Sequence, residues 1–364
     1  MNAKELIQNA LELKPVPRLP ATLMSAGAWA LNSQGLSLEQ ALSAPPETTA
    51  ELLYRAYSEA GSEIFWAMSG YSNLLIGALG GRIKFRAKGT PDVVETLIKD
   101  TADVDAINID SIANDERIQR LLRITGLLAE KLQGRHYLAL TRWGPFTLAG
   151  LLYGAENLMR DIYRRPDSVR RILDFTVKVY LSYAGLYFDQ GVDFVLLAEP
   201  TASGDMISRK HFEAFAVPVF KQVFESLKQK KIRTALHICG NIENRLDLLN
   251  GIGAELISVD YKVSLKKCRE VFNGKTAFAG NLNPVGVMQR ETPDGVTRHC
   301  AECLADAGDG PGYILMPGCD IPPATPLANI QAMTQFGRSQ QAGGPGGQRP
   351  PGGGVAGAEP PLRG

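Results

Sequence analysis

The chain alternates short apolar runs with segments in which apolar residues recur at helical spacing, and this alternation constrains its fold most. From residue 136 onward, each apolar run has the length of a strand and a helical pattern follows it. Strands that alternate with helices favour a parallel sheet with right-handed crossovers. Nearly continuous apolar strands are typical of a sheet that is covered on both faces.

Eight such runs are present. We place the strands at residues 18–27, 65–68, 136–141, 192–197, 233–239, 255–260, 276–281 and 313–316. Eight strand–helix units favour a closed barrel over an open, doubly wound sheet. No Gly-x-Gly-x-x-Gly follows any of the runs, which removes the best evidence for a dinucleotide-binding sheet. We therefore predict an α/β fold, a (β/α)8 TIM barrel with an N-terminal helical extension.

The composition predicts one folded domain and a tail. Residues 1–338 are assigned to the barrel, with residues 80–112 as an insertion or a small hairpin. From residue 339 the chain consists mainly of Gly, Pro, Ala and Gln. Such a segment cannot bury enough apolar surface to order itself, so residues 339–364 are predicted to be a disordered tail without a catalytic role.

The charge balance excludes some classes of function. The 364 residues include 39 basic and 38 acidic side chains, which argues against a general nucleic-acid or membrane-surface binder. No apolar run reaches the ~18 residues of a membrane-spanning helix, and the amphipathic N-terminus lacks the apolar core of a signal peptide. Five cysteines in such a chain suggest reduced thiols. We therefore expect a cytoplasmic protein.

Two short stretches place soft metal ligands at strand ends. His237 and Cys239 are two residues apart, a spacing that puts both side chains on one face of a strand. Cys319 follows a Pro-Gly turn after the last predicted strand. In a barrel all three would lie at the C-terminal mouth, where active sites of this architecture occur. Zinc prefers such ligands, and three of them leave one position open for chemistry. The alternative is three buried core residues.

Three polar residues at neighbouring strand ends are further candidates. Glu199 follows the fourth strand and is a candidate fourth ligand or a partner of a ligand, unless it only caps the next segment. Asp260 and Asn281 end the sixth and seventh strands. We predict catalytic roles for all three, with loop capping as the alternative for the last two.

A second cluster, His299, Cys300 and Cys303, resembles half of a zinc finger. However, the two cysteines continue a helical apolar stripe that includes Val296 and Leu304. Packing inside the protein is therefore the preferred interpretation of these thiols.

The metal motif and its surroundings resemble the uroporphyrinogen decarboxylase superfamily. Within it, the chain is most similar to the corrinoid-linked methyltransferases, namely methylcobamide:coenzyme M methyltransferases and the methyltransferase components of O-demethylases. The resemblance covers most of residues 1–338 and is carried by residues 144–149, 199–203, 236–240, 280–281 and 317–327. It implies zinc held by His237, Cys239 and Cys319, with an acidic residue at position 199.

The resemblance implies a zinc-dependent methyltransferase that moves a methyl group between a small donor, such as a methyl ether, and a corrinoid carried by a partner protein. The alternatives are a methylcorrinoid:thiol methyltransferase of the coenzyme M type, and a non-catalytic zinc-stabilised barrel that binds a corrinoid protein. Uroporphyrinogen decarboxylation is disfavoured because it needs no zinc. The Arg-Gln-Ala-Gly-Arg-like run of those enzymes is also replaced here by residues 24–28, with Met24 and Ala28 in place of the arginines.

Aromatic residues near the expected barrel mouth have two interpretations. They are Trp29, Phe65, Trp66, Tyr71, Trp143 and Phe146. They would suit a flat pocket for an aromatic ether, or they belong to the core.

Overall fold

The structure, a computed structural model, describes residues 1–340. Within this range there are nine strands: β1 (Ile64–Ala67), β2 (Ile83–Lys84), β3 (Asp92–Val93), β4 (Tyr137–Trp143), β5 (Phe194–Ala198), β6 (Arg233–Ile238), β7 (Leu256–Val259), β8 (Ala277–Leu282) and β9 (Tyr313–Pro317). Seven of them form one parallel sheet in the order β1-β4-β5-β6-β7-β8-β9. Strands β2 and β3 form the small hairpin expected near residues 80–112.

Helices connect these strands and cover the sheet. They are α1 (Ala3–Leu11), α2 (Gly27–Asn32), α3 (Leu38–Ser43), α4 (Pro46–Ala60), α5 (Leu74–Ala78), α6 (Ser111–Asn114), α7 (Glu116–Leu132), α8 (Pro145–Tyr153), α9 (Ala155–Arg164), α10 (Pro166–Phe188), α11 (Arg209–His211), α12 (Val217–Gln229), α13 (Leu265–Phe272), α14 (Pro293–Ala307) and α15 (Leu327–Ser339). Every connection between neighbouring strands of the large sheet contains helical segments. The predicted TIM-like α/β fold is therefore confirmed.

The first predicted strand is much shorter than expected. In place of a strand over residues 18–27 there is one parallel bridge, from Ala21 to Leu315 of β9. The N–H of Leu315 donates to the carbonyl of Pro20, and the N–H of Thr22 donates to the carbonyl of Leu315. Pro20 has no N–H to donate, so it cannot take part fully in a ladder. The stretch still occupies the place beside β9 that an eighth strand would take.

Side chains connect this stretch to the beginning of β1. The buried Glu63 carboxylate accepts the N–H of Ala21 at 2.9 Å and pairs with Arg18. The N–H of Ile64 donates to Oγ1 of Thr22 at 3.2 Å. These polar contacts join the first stretch to β1. The two segments are the edges between which the predicted barrel would close.

The helical patterns of the sequence match the helices of the structure. The predicted capping box at Ser37 and Gln40 begins α3, and the amphipathic helix predicted near residues 114–132 is α7. Along residues 1–340, no helix has both the length and the apolar character that a membrane crossing requires. Helix α15 continues to Ser339, and most of the predicted tail, residues 341–364, lies outside the described residues.

Replacing Glu63 by Ala is expected to destabilise the fold. The change leaves the N–H of Ala21 without its acceptor and Arg18 without its partner. We expect the free energy of unfolding to fall by about 1–3 kcal/mol, measured by urea denaturation. Glu59→Ala, an exposed position on α4, is the matched control and should change it by less than about 0.5 kcal/mol. Equal effects of the two substitutions would contradict a closing role for Glu63.

Candidate metal centre

The ends of β6 and β9 bring together the three soft ligands predicted from the sequence. His237 lies in β6, Cys239 follows that strand, and Cys319 follows the end of β9. The sulfur of Cys239 lies 3.3 Å from Nε2 of His237 and 3.6 Å from the sulfur of Cys319. All three ligand atoms lie within 4.8 Å of one another. The predicted convergence of residues 80 positions apart in the sequence is therefore present.

The donor atoms fit a metal ion. Zinc–sulfur and zinc–nitrogen bonds of ordinary length separate neighbouring donors of a tetrahedral site by about 3.5–3.8 Å. The separations of 3.3 and 3.6 Å agree with this within a few tenths of an ångström. His237 is 1% exposed, whereas both cysteines are only partly buried. The imidazole thus forms the inner side of the group, and the sulfurs form the side nearer to solvent.

The two thiols are coupled to each other. The hydrogen bond between them lowers the pKa of Cys239, and the same bond, together with burial, raises the pKa of Cys319. A metal that binds both sulfurs binds them as thiolates, so its binding releases protons from the thiols.

A glycine and a carboxylate position the two cysteines. At Gly318, a Cβ atom would lie 2.5 Å from the backbone nitrogen of Tyr261, so only glycine lets the end of β9 pass this close to the loop after β7. Beside Cys239, the N–H of Gly240 donates to Oδ2 of Asp260 at 2.9 Å. The loop after β7 thus contacts both segments that carry a cysteine.

Two residues with predicted catalytic roles are used in loop anchoring. Besides holding Gly240, Asp260 accepts the N–H of Lys262 at 3.0 Å. The amide of Asn281 donates to the carbonyls of Asp260 and Val263, at 3.1 and 2.6 Å. These contacts agree with the loop-capping alternative. A direct part in catalysis stays a prediction for both residues.

Glu199 is fully buried one residue beyond β5. Its carboxylate accepts the N–H of Phe146 at 3.1 Å and that of Thr147 at 2.8 Å, both in the first turn of α8. Burial raises the pKa of Glu199 to about 7. At Gly144, a Cβ atom would lie 2.2 Å from Oε1 of Glu199, so the carboxylate occupies the space that a side chain there would need.

The Glu199 backbone is adjacent to the ligand strand, because its N–H donates to the carbonyl of His237 at 2.8 Å. Its carboxylate is not among the three side chains whose ligand atoms lie within 4.8 Å of one another. Direct metal binding by Glu199 stays a prediction.

The second cysteine cluster belongs to the interior, as the helical spacing predicted. Cys300 is fully buried on α14, and Cys303 packs against the same core. Burial raises the pKa of both thiols. Among residues 1–340, neither thiol belongs to a group of three possible metal ligands.

The aromatic residues near the mouth follow the core interpretation. All but one are buried, namely Trp29, Phe65, Trp66, Tyr71 and Phe146. Trp143 is half-buried, and its Nε1 donates to Oδ1 of Asn73 at 2.6 Å. The burial of these aromatic residues gives no specific support to a pocket for an aromatic ether.

Sequence reasoning missed two polar partners of the site. Nδ1 of His237 lies 3.1 Å from Oγ of Ser258, and the Asp320 carboxylate accepts the N–H of Ala26 at 2.7 Å. A serine inside the otherwise apolar β7 was a signal for the first, because a buried hydroxyl needs a partner. The position of Asp320 next to Cys319 was a signal for the second.

Comparison with known proteins assigns the chain to a family. The family model described as uroporphyrinogen decarboxylase (URO-D) matches residues 2–340. The chain belongs to the URO-D family.

Similar members of this family include methyltransferases. The chain is 30% identical to the methylcobamide:CoM methyltransferase MtbA of Methanosarcina mazei over 92% of its own length and 97% of that protein. It is 26% identical to the methylcobamide:CoM methyltransferase MtaA of Methanosarcina barkeri over 89% and 94%. A solved methyltransferase structure from Methanosarcina mazei superposes with a TM-score of 0.83 at 25% identity, covering 93% of this chain and 98% of that one. These relatives are named as methyltransferases, which is the enzyme class predicted from the sequence.

Replacing either cysteine of the site by serine is expected to remove metal binding. Cys239→Ser or Cys319→Ser should lower zinc affinity more than about 100-fold. The loss of a ligand costs more than the loss of a residue that only hydrogen-bonds to a ligand. Competition with a chromophoric chelator measures this affinity. Cys303→Ser, a thiol outside the group, is the control and should bind zinc like the unchanged protein. Measured without zinc, thermal unfolding of all three variants should stay close to that of the unchanged protein. Unchanged zinc affinity in Cys319→Ser would contradict the site.

Replacing Gly144 by Ala is expected to displace the Glu199 carboxylate. The new Cβ would overlap Oε1, so Glu199 must give up at least one of its two backbone hydrogen bonds. We expect the free energy of unfolding to fall by about 1–3 kcal/mol, measured by urea denaturation. Gly185→Ala on α10 has open space around its Cβ and should be neutral or stabilising by about 0.5–1 kcal/mol. A Gly144→Ala protein as stable as the control would show that Glu199 has room to move.

Proposed function

We propose that this protein is a zinc-dependent methyltransferase that moves a methyl group between a corrinoid, carried by a partner protein, and a thiol. The observation that carries the proposal is the convergence of one imidazole nitrogen and two sulfurs at the carboxyl ends of β6 and β9. Relatives that match nearly the whole chain are named methylcobamide:CoM methyltransferases, which supports the corrinoid and the thiol.

His237, Cys239 and Cys319 would hold the ion. Zinc bound there would keep a thiol deprotonated near neutral pH, and the thiolate is the stronger nucleophile toward a methyl group. The three ligands come from segments that Gly318 and Asp260 fix against one another. The partly exposed sulfurs leave the outer side of the group for the substrate.

Glu199 is proposed as a displaceable fourth ligand, and Asp260 and Asn281 as the residues that keep the cysteine loops in place. The hydrogen bonds that Glu199 accepts use one lone pair on each carboxylate oxygen and leave others free. Glu199→Gln separates ligation from anchoring. Weaker zinc binding indicates ligation, whereas lower stability with unchanged zinc binding indicates anchoring alone.

The small-molecule partner is proposed to be a thiol rather than a methyl ether. Aromatic residues near the mouth are part of the sequence argument for the ether, but most of them are buried. The names of the relatives point to a thiol instead. Some relatives at 24–25% identity are named uroporphyrinogen decarboxylases. That reaction is disfavoured for this chain because residues 24–28 contain no arginine.

The reaction is tested with free methylcob(III)alamin and 2-mercaptoethanesulfonate in the presence of the zinc-loaded protein. Cobalt absorbance should report loss of the methyl group only when thiol, zinc and protein are all present. Cys319→Ser should reduce the rate at least about 100-fold, a loss of about 2.7 kcal/mol of transition-state stabilisation. Cys303→Ser should retain the rate.

A parallel assay offers methyl ethers with cob(I)alamin, and methylation of cobalt there would favour the ether donor. Full activity of the metal-free protein would contradict the zinc mechanism. Zinc removal that unfolds the chain, with no methyl transfer by the loaded form, would favour a non-catalytic zinc-stabilised barrel.

A further inference from the structure

A buried chain of two hydrogen bonds runs inward from His237. Nδ1 of His237 lies 3.1 Å from Oγ of Ser258, and this oxygen lies 3.4 Å from Sδ of Met24. Their exposed fractions are 1%, 0% and 3% in that order. Buried hydroxyl groups make hydrogen bonds inside the protein because water cannot reach them.

The chemistry of a thioether sets the direction of this chain. Sδ of Met24 has no proton and can only accept, so the Ser258 hydroxyl must be the donor in that contact. A hydroxyl has a single proton, and Ser258 can therefore only accept from Nδ1 of His237. With both contacts made as hydrogen bonds, Nδ1 carries the proton of the neutral imidazole and Nε2 has a free lone pair. Nε2 is the nitrogen that lies 3.3 Å from the sulfur of Cys239.

We propose that Met24 and Ser258 are positioning residues that hold His237 in the Nδ1–H tautomer and so present Nε2 to the metal. The proposal builds on the zinc site of the proposed function, but it concerns the state of the imidazole before any metal binds. An imidazole in the other tautomer would first have to exchange its proton between the nitrogens, at a cost in metal affinity.

The register of the sheet and the first stretch of the chain keep the three residues in place. In the β6–β7 ladder, His237 is paired with Ser258, so both side chains lie on the same face. On either side of Met24, the carbonyl of Leu23 accepts Nε1–H of Trp66 at 2.8 Å and the carbonyl of Ser25 accepts the hydroxyl of Tyr57 at 2.6 Å. The backbone on both sides of Met24 is therefore fixed, which leaves the position of Sδ little freedom.

The opposite arrangement makes a different prediction. If the Ser258 hydroxyl donated to Nδ1, the proton of the imidazole would be on Nε2 and would point toward Cys239. The contact between Ser258 and Met24 would then contain no hydrogen bond. The two arrangements therefore differ in which ring nitrogen carries the proton, and nitrogen NMR measures this directly.

The experiment uses the full-length, metal-free protein with ¹⁵N in its histidine rings, at about pH 8 where an ordinary imidazole is neutral. The chain has four histidines, and a His237→Gln sample identifies the signals of His237. Long-range nitrogen–hydrogen spectra should show His237 protonated at Nδ1. Protonation at Nε2 in the unchanged protein would overturn the proposal without any variant.

Two variants test the chain of hydrogen bonds from Met24 to His237. Met24→Leu keeps the volume but removes the acceptor, so the Ser258 hydroxyl turns to Nδ1 and the tautomer ratio should move toward Nε2–H by roughly 5–10-fold. Ser258→Ala leaves Nδ1–H without an acceptor and should move the tautomer ratio in the same direction. Zinc affinity should fall about 10–100-fold in both variants. Met333→Leu, the same substitution at a fully buried position of α15, is the control and should change neither quantity.

An unchanged tautomer and unchanged zinc affinity in both Met24→Leu and Ser258→Ala would overturn the proposal. If Met24→Leu does not fold, Ser258→Ala and the spectrum of the unchanged protein decide it. Failure of the proposed function is recognised separately. A protein that shows the Nδ1–H tautomer but binds no zinc would remove the zinc site, whereas one that binds zinc with the Nε2–H tautomer would remove only the role of Met24 and Ser258.

Discussion

The pairing register of β5, β6 and β7 is the constraint on which the site depends. It places Ala198, His237 and Ser258 at one level and on one face of the sheet. A shift by one residue would turn every side chain of β6 to the opposite face. His237 would then leave both Cys319 and Ser258 at once.

Polar residues around the mouth use their hydrogen bonds to shape the loops. Glu199, Asp260 and Asn281 each bind backbone groups of a neighbouring segment, and two of them accept backbone N–H groups. Such contacts satisfy backbone donors and acceptors that would otherwise be unpaired beyond the last ladder bond. The contact of Asp260 with Gly240 fixes the loop that carries Cys239, so loop rigidity and ligand geometry are linked in this protein. This is why an acidic residue at a strand end does not by itself identify a reacting group.

The sequence predicts the strands and the convergence of His237, Cys239 and Cys319 well, and it predicts the hydrogen-bond partners of these residues poorly. Strand positions follow from apolar runs, which are local. A two-residue spacing and a Pro-Gly turn indicate the candidate ligands, and the family resemblance favours a metal site over buried core residues. The prediction of a first strand over residues 18–27 was wrong because Pro20 has no N–H for the ladder. The apolar residues around Pro20 nevertheless give the pattern of a strand. The contact between Ser258 and Met24 joins residues 234 positions apart. It depends on how two segments meet inside the fold, so no local pattern contains it.

The three side chains of the candidate metal centre are not equally buried, so the group has an inner side and an outer side. The imidazole is enclosed and tied to Ser258, whereas the two sulfurs lie toward solvent and share a hydrogen bond. A ligand that is fixed before metal arrives loses little conformational entropy on binding. The inner nitrogen is therefore the preorganised part of the site, and the sulfurs are the part that must lose a proton and change partners. In the proposed function, a site built in this way would hold its ion from the inside and leave the opposite side to an incoming thiol.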